Sequence, residues 1–393
     1  MLRVLLGVDG ANDPLRGGVT APPTPLSEGV RRRQRSPIDS VTVTLIGSHA
    51  PVTGGLAAGG LAYASAVDAE VIQVFVSNPR GWAAGPGDPA QDAALRDSGI
   101  PVFVHAPYLI NVGSADETVA SRSARAVAHA LRRGREIGAR GVVVHTGSAT
   151  GWDADGVPAH ADRAPARADG APAHADGVPA RADGAPACAD GVLARERALR
   201  QAGALLLPIL DALGEDDPDL LLEPMAGQGQ MLCANVGDLA PYLSALRNHP
   251  KAGVCLDTCH LFAAGHDLTA PGGAAAMLAE VTAAAGPGRV KLVHANDSLL
   301  PLGSKRDRHE AIGKGTIGTE PFRELLAHPL LADVPFVAET PGGKSGHARD
   351  IALLKELREE SMSHRLPSIG AGCDSASHLW RSMSHRARSE GGR

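Results

Sequence analysis

No stretch of this chain stays apolar for the ~18 positions that a membrane-spanning helix needs, so no membrane partner is expected. The opening run from Met1 to Val8 is shorter than a secretory apolar core of about 7–15 residues backed by a cleavage site, which points to an intracellular, cytoplasmic protein. Cysteine is scarce: five occur, at 188, 233, 255, 259 and 373, with no CxxC pair, and a disulfide framework is not expected. Cys255 and Cys259 flank Asp257 in VCLDTCH but lack partners at ligand spacing for a thiolate zinc site, and read as small buried residues beside a strand end. A broad Lys/Arg excess is also missing. The net charge of −5 and pI near 6.3 exclude a chain that coats nucleic acid through general basicity, while leaving a local cationic site open.

What the chain has is a set of short apolar runs, each ending on a residue that can bind a metal. They are FVHAP at His105, VVVH at His145, LLLE at Glu223, VCLD at Asp257, KLVH at His294 and FVAE at Glu339. Parallel strands closed into a barrel bring all their C-terminal ends around one mouth, so residues scattered over two hundred positions can meet there. Eight strands can be counted, at 43–47, 71–76, 101–105, 141–145, 219–223, 253–257, 290–294 and 335–339. Ala/Leu-rich helical stretches lie between them, such as 121–138, 195–213 and 321–331. Continuous rather than alternating apolar strands argue for a parallel sheet covered by helices, an α/β (β/α)8 TIM barrel.

Three segments do not fit the barrel. Residues 1–40 are rich in Gly, Pro and Arg, with RRRQR at 31–35, and residues 359–393 repeat SMSHR; both are expected to be disordered extensions. Between them, 154–195 repeats a heptapeptide of the type ADGVPAH, a low-complexity insertion expected to be disordered. Pro at 158, 165, 172, 179 and 186 excludes a helical coiled coil there. Its ADG steps lack the ligand ladder and terminal Glu of a calcium loop. The barrel itself is expected over 41–358, interrupted by this insertion.

His260, one helical turn past Asp257, and the pair Asp307 and His309 in KRDRH join the six strand-end residues. Nine ligands exceed the roughly four that one zinc takes, so two or three ions fit better. Imidazole and carboxylate without thiolate favour Zn2+ or Mn2+ over Ca2+ or Mg2+. A cluster of divalent ions in an acidic protein would attract an anionic substrate, and ions roughly 3.5–4 Å apart suit phosphodiester hydrolysis. Arg80, Lys305, Arg306, Arg308 and Lys314 lie in loops at the same mouth, where they can hold backbone phosphates.

The segments IGSHAPVTGGL, VFVSNPRGW, VHAPYLINVGS, VVVHTGS, LLEPMAGQG, VCLDTCHLFAAGHDL, VHANDS, GSKRDRHEAIGKGTIG and VAET, in this order, resemble the endonuclease IV family of apurinic/apyrimidinic DNA-repair endonucleases. The resemblance covers 44–358 outside the insertion. It implies cleavage of double-stranded DNA 5′ to abasic sites, leaving a 3′-hydroxyl and a 5′-deoxyribose phosphate, and removal of blocked 3′ ends. It also implies three zinc ions, with Mn2+ possible at one site. His105, His145 and Glu223 would hold the first ion. Glu223 would bridge to a second held by Asp257, His294 and Glu339, and His260, Asp307 and His309 would hold the third. Glu339, Glu223 and Asp257 carry the catalytic expectation, with Glu339 orienting or deprotonating the attacking water. His49 matches a position near the site that is not a ligand. Arg80 and Tyr108 match side chains that enter DNA at the lesion, where a missing base lowers the cost of extrusion. Gly81 and Pro224 depart from the family, which often has a longer polar side chain and an Asn there. A monomer suffices for bent-duplex binding. A sugar isomerase or epimerase on a related barrel would leave His260, Asp307 and His309 without a purpose, and a non-catalytic damaged-DNA module would not need the full ligand set.

Overall fold

The computed structural model describes residues 43–153, 156–158 and 190–365. In chain order the elements are β1 (Ile46–His49), α1 (Leu56–Val67), β2 (Ile72–Phe75), α2 (Pro89–Asp97), β3 (Val102–His105), α3 (Glu117–Glu136), β4 (Gly141–His145), α4 (Asp190–Leu210), β5 (Asp219–Glu223), α5 (Leu239–Ala245), β6 (Ala252–Asp257), α6 (Thr258–Ala264), α7 (Gly273–Ala285), β7 (Val290–His294), β8 (Asp297–Ser298), β9 (His309–Glu310), α8 (Glu320–Ala327), β10 (Phe336–Ala338) and α9 (Gly343–Arg365). Eight strands close a parallel barrel in the order β1-β10-β7-β6-β5-β4-β3-β2, and β8 and β9 form a separate antiparallel pair. The expected (β/α)8 barrel is therefore present, each expected strand overlapping an observed one.

Two apolar layers follow from the alternation of side chains along a strand. Ile72, Val74, Val102, Val104, Val142 and Val144 point outward against the helices, in the larger core. Val71, Phe103, Val143, Leu221, Cys255, Leu292 and Val337 fill the lumen. Gly141 and Gly253 make room for Leu221, since an added Cβ at either would come within 2.7 Å of its methyl groups. Two helices start on aspartate caps: Asp88 accepts from the amides of Ala90 and Gln91, and Asp116 from those of Thr118 and Val119. Each such cap contributes about 1 kcal/mol. Arg133 on α3 is wholly buried and clamps α2 by a two-pronged pair with Asp92, both contacts 2.6 Å, while Glu136 closes on the same guanidinium.

Two boundaries differ from expectation. Helix α4 begins at Asp190, inside the last repeat, where no helix was expected. The reason is visible in that repeat: Leu193 stands where the earlier copies have Pro, so the helix-breaking residue is missing. Helix α9 runs to Arg365, past the expected end of the barrel at 358, with Arg358 reaching back to Glu70 and the carbonyl of Thr44. Of the segments expected to be disordered, 1–40, 154–155, 159–189 and 366–393 lie outside the described residues.

Candidate metal centre

On seven barrel strands a polar residue stands two positions after the residue that fills the lumen. Val71 is followed by Gln73, Phe103 by His105, Val143 by His145, Leu221 by Glu223, Cys255 by Asp257, Leu292 by His294 and Val337 by Glu339. The pleat returns each of these side chains to the barrel axis, now at the mouth. Asp257 ends β6 and also starts α6: its Oδ1 caps the amide of His260 at 2.8 Å, which fixes His260 on the first turn of that helix and leaves Oδ2 facing the centre. Asp307 and His309 arrive from the loop after β7, held by the pairing of β8 with β9 that sets Ser298 opposite His309.

Among the described residues five groups have candidate ligand atoms within 4.8 Å of one another, and three of them take in all nine residues: His105 with His145 and Glu223; Asp257 with His294 and Glu339; His260 with Asp307 and His309; the other two are Glu223 with Asp257 and His260, and Asp257 with Cys259 and His309. Glu223 faces all of the first three, its Oε1 lying 3.4 Å from His260 Nδ1. Its Oε2 is 3.4 Å from Nε2 of both His105 and His145, while its Oε1 is 3.0 Å from Nδ1 of His294. In the third group Asp307 is 3.2 Å from His260 Nε2 and 3.0 Å from His309 Nε2.

The outward ring nitrogens are tied down. His105 Nδ1 meets the Ala106 carbonyl at 2.7 Å, His260 Nδ1 the Pro224 carbonyl at 3.1 Å, His309 Nδ1 the Glu339 carbonyl at 3.2 Å, and His294 Nε2 the Gln73 side-chain oxygen at 2.9 Å. A carbonyl oxygen only accepts, so each of these nitrogens carries a hydrogen. The other nitrogen then points inward, where its lone pair becomes available to a metal ion that displaces any proton held there by the carboxylates. Three buried atoms that face inward, Glu223 Oε2, His260 Nε2 and His309 Nε2, have imidazole or carboxylate neighbours at 3.0–3.4 Å but no well-directed hydrogen bond among the described residues. Buried polar atoms are rarely left so, and a cation among them would satisfy all three. The donor set therefore fits divalent metal ions.

A family model described as a xylose isomerase-like TIM barrel matches residues 61–357. A Streptomyces avermitilis protein named "Probable endonuclease 4" is 50% identical over 321 residues, spanning 80% of this chain and 90% of its own length. The chain belongs to the endonuclease IV family. The S. coelicolor protein of the same name is 49% identical and is covered over 95% of its length. Endonuclease IV from Thermus thermophilus shares the fold with a TM-score of 0.62 at 28% identity, covering 80% of this chain and 99% of its own. A D-tagatose 3-epimerase-like protein, at 17% identity and a TM-score of 0.53, shares the barrel alone.

In this endonuclease IV family member the buried charges lean on one another. Burial pushes Glu223 toward its neutral form, but His294 and His145 override it and hold the carboxyl well below its ordinary range. Glu339 is held low in the same way by His294 and His49. Burial works against a proton on His309, yet Asp257 and Asp307 raise it to about 9. Burial lowers His145 to about 4, Glu223 only partly opposing. Divalent cations in the centre would take over the role of the protons on these rings.

The remaining expected residues lie around this centre. Tyr108 is half exposed at the rim, stacked over His145 with ring centroids 5.7 Å apart, and packs against Phe75 and His105. Its backbone amide meets the Pro79 carbonyl at 3.0 Å, which ties its loop to the one carrying exposed Arg80. Lys305, Arg306 and Lys314 are exposed, and Arg308 is half-buried with its guanidinium 2.8 Å from the Asp307 carbonyl. Lys305 adopts φ 53°, a left-handed bend that turns the KRDRH loop toward the mouth. His49 stands 3.4 Å from Glu339. Both thiols near the centre are raised by burial, Cys255 to about 12, so neither is a ready ligand although Cys259 lies beside Asp257 and His309.

Sequence reasoning missed Gln73 and Asn296. Asn296 is buried, donates to Asp257 Oδ2 at 2.6 Å and accepts from the Glu339 amide at 2.8 Å, linking two of the strand ends. The available signal was a polar residue inside or just after an apolar strand, VIQVFV for Gln73 and KLVHAN for Asn296.

Proposed function

We propose that this chain is a metal-dependent endonuclease that hydrolyses the phosphodiester 5′ to an abasic site in double-stranded DNA, leaving a 3′-hydroxyl and a 5′-deoxyribose phosphate, and that the same site clears blocked 3′ ends. The observation that carries the reading is the fixing of four histidine rings by outward hydrogen bonds, so that their remaining nitrogens converge with four carboxylates on one mouth. Three ions, each zinc or with manganese at one, would be held by His105, His145 and Glu223, by Asp257, His294 and Glu339 with Glu223 shared, and by His260, Asp307 and His309. When bound, they would supply Lewis-acid stabilisation of the attacked phosphate and leaving oxygen and lower the pKa of the attacking water.

The protein's own groups do the rest. Glu339, kept ionised, accepts a hydrogen bond from the attacking water and orients it toward phosphorus. Arg80 and Tyr108, joined through the Pro79 carbonyl, enter the duplex together and hold the abasic nucleotide out of the stack. Lys305, Arg306, Arg308 and Lys314 contact backbone phosphates, which position the duplex without reading its sequence. One barrel carries every group named, so a monomer suffices.

The test is incision of a duplex containing one tetrahydrofuran abasic analogue, beside an undamaged duplex, with metal content measured on the same preparation. Tetrahydrofuran cannot undergo β-elimination, so a nick with a new 3′-hydroxyl establishes hydrolysis. Full zinc occupancy with no incision would refute the nuclease reading, and turnover of a ketose by the same preparation would replace it with the epimerase one.

A further inference from the structure

Among the polar residues two positions beyond the lumen layer, Gln73 is the one neutral amide, and it is fully buried. Its side chain touches three residues of the centre's wall. Nε2 lies 2.6 Å from Glu339 Oε1 and 3.1 Å from His49 Nδ1, and Oε1 lies 2.9 Å from His294 Nε2. The donors and acceptors close without remainder. One N–H goes to the Glu339 carboxylate, the other to the His49 ring, and the oxygen accepts the His294 N–H. The opposite amide orientation would set oxygen against the Glu339 carboxylate, so the geometry admits one arrangement.

We infer that Gln73 is a positioning residue for the hydrolytic reaction, fixing His294 and Glu339 at once; the inference rests on the metal-dependent nuclease reading. By accepting from Nε2, Gln73 commits the His294 ring to present Nδ1, the nitrogen that lies 3.0 Å from Glu223, 3.3 Å from Glu339 Oε2 and 3.8 Å from Asp257. By donating to Glu339 Oε1 it leaves Oε2 to face the centre. A single amide therefore sets both the tautomer of one ligand and the rotation of the carboxylate that orients water. Outer partners of this kind are worth about 10–100-fold in metal affinity or activity.

The experiment uses the full zinc-loaded chain with Gln73→Met, which fills the same volume without hydrogen bonds, and Gln73→Leu as a second variant. Zinc affinity is read by competition with a chelator, and kcat and KM on the tetrahydrofuran duplex. We expect affinity and kcat each to fall about 10–100-fold with KM nearly unchanged, because the amide touches ligands and not DNA. Unchanged affinity and kcat, or a raised KM with kcat intact, would overturn the inference. A third readout needs no variant: long-range 1H–15N correlation on the zinc-loaded wild type should show His294 protonated at Nε2 and metal-bound at Nδ1, and the reverse would also overturn it. If the wild type binds zinc but cuts no duplex, the nuclease reading falls, while chelator competition and the tautomer still decide the role of Gln73.

Discussion

Asp297 offers a demanding test of how the third ligand group is held. Its carboxylate is fully buried and accepts five backbone amides. Oδ1 takes those of Ser298 and Ile317, and Oδ2 those of Gly313, Gly315 and Gly318, at 2.8 to 3.2 Å. Burial raises its pKa and these amides only partly offset that. Asp297→Asn keeps the shape but turns one oxygen into a donor, so it orphans either the two buried N–H groups on Oδ1 or the three partly buried ones on Oδ2. At about 1–3 kcal/mol for each orphaned buried donor, losing the two on Oδ1 costs roughly 2–6 kcal/mol before the loop relaxes. Because β8 contains Asp297 and pairs with the strand carrying His309, the loosened loop should also release the ion assigned to His260, Asp307 and His309. Urea unfolding of Asp297→Asn and Asp297→Ala should show both well below wild type, and zinc content should drop by one per chain. If Asp297→Asn unfolds within about 0.5 kcal/mol of wild type and keeps its full zinc, the amide cradle is not what holds this loop.

Three further outcomes are expected. Glu339→Gln should abolish incision while leaving affinity for the abasic duplex within a few-fold, measured by anisotropy under non-turnover conditions; retained turnover would remove Glu339 from the reaction. In metal-free protein His309 has its folded pKa raised from 6.5 to about 9, so its stabilising contribution is complete below about pH 6.5 and is lost as pH rises through about 9. Thermal melts of metal-free protein should therefore fall across that window, whereas zinc-loaded protein, whose ligands must be unprotonated, should not follow; parallel curves would contradict the assignment. Far from the site, Asp92→Ala strands the buried guanidinium of Arg133 with only Glu136 beside it, and denaturant unfolding should report a loss of about 3–5 kcal/mol with zinc content unchanged.

The barrel and the convergence of the nine candidate residues on its mouth were legible because two regularities coincide. A parallel barrel sends every strand end to one mouth, and a residue ending an apolar run lies on that mouth whatever the distance in sequence. His260 was legible for a related reason, as one helical turn past an aspartate that doubles as a helix cap. What escaped was the shell behind the ligands, since three of the four ring contacts go to backbone carbonyls, of Ala106, Pro224 and Glu339, and any side chain can accompany a carbonyl. Pro224 shows the point. Read as a departure that removes a side-chain partner, it nonetheless supplies the carbonyl that orients His260. The start of α4 escaped because a seven-residue period invites treating all copies alike, and the single Pro-to-Leu change at 193 decides the last one.

The fold by itself does not separate a nuclease from a sugar epimerase, since an epimerase-like protein shares the barrel at a TM-score of 0.53. The separation lies in one loop. Candidate ligands on β3 to β7 and just after β10 stand at strand ends, whereas Asp307 and His309, which the nuclease reading proposes as further ligands, come from the excursion after β7. That excursion is held from three sides: the amides of Gly303 and Lys305 reach the carbonyls of Phe262 and Ala263, β9 pairs with β8, and Asp297 gathers the amides of 313–318. Support of this kind suits the proposed role of Asp307 and His309, since a ligand group needs a rigid backbone behind it. The same excursion carries Lys305, Arg306 and Arg308, so the residues proposed to complete the ligand set and those proposed to hold phosphates share one supported loop. On the proposed reading, this loop would join the third candidate ligand group to residues suited to a long anionic substrate rather than to a small neutral sugar.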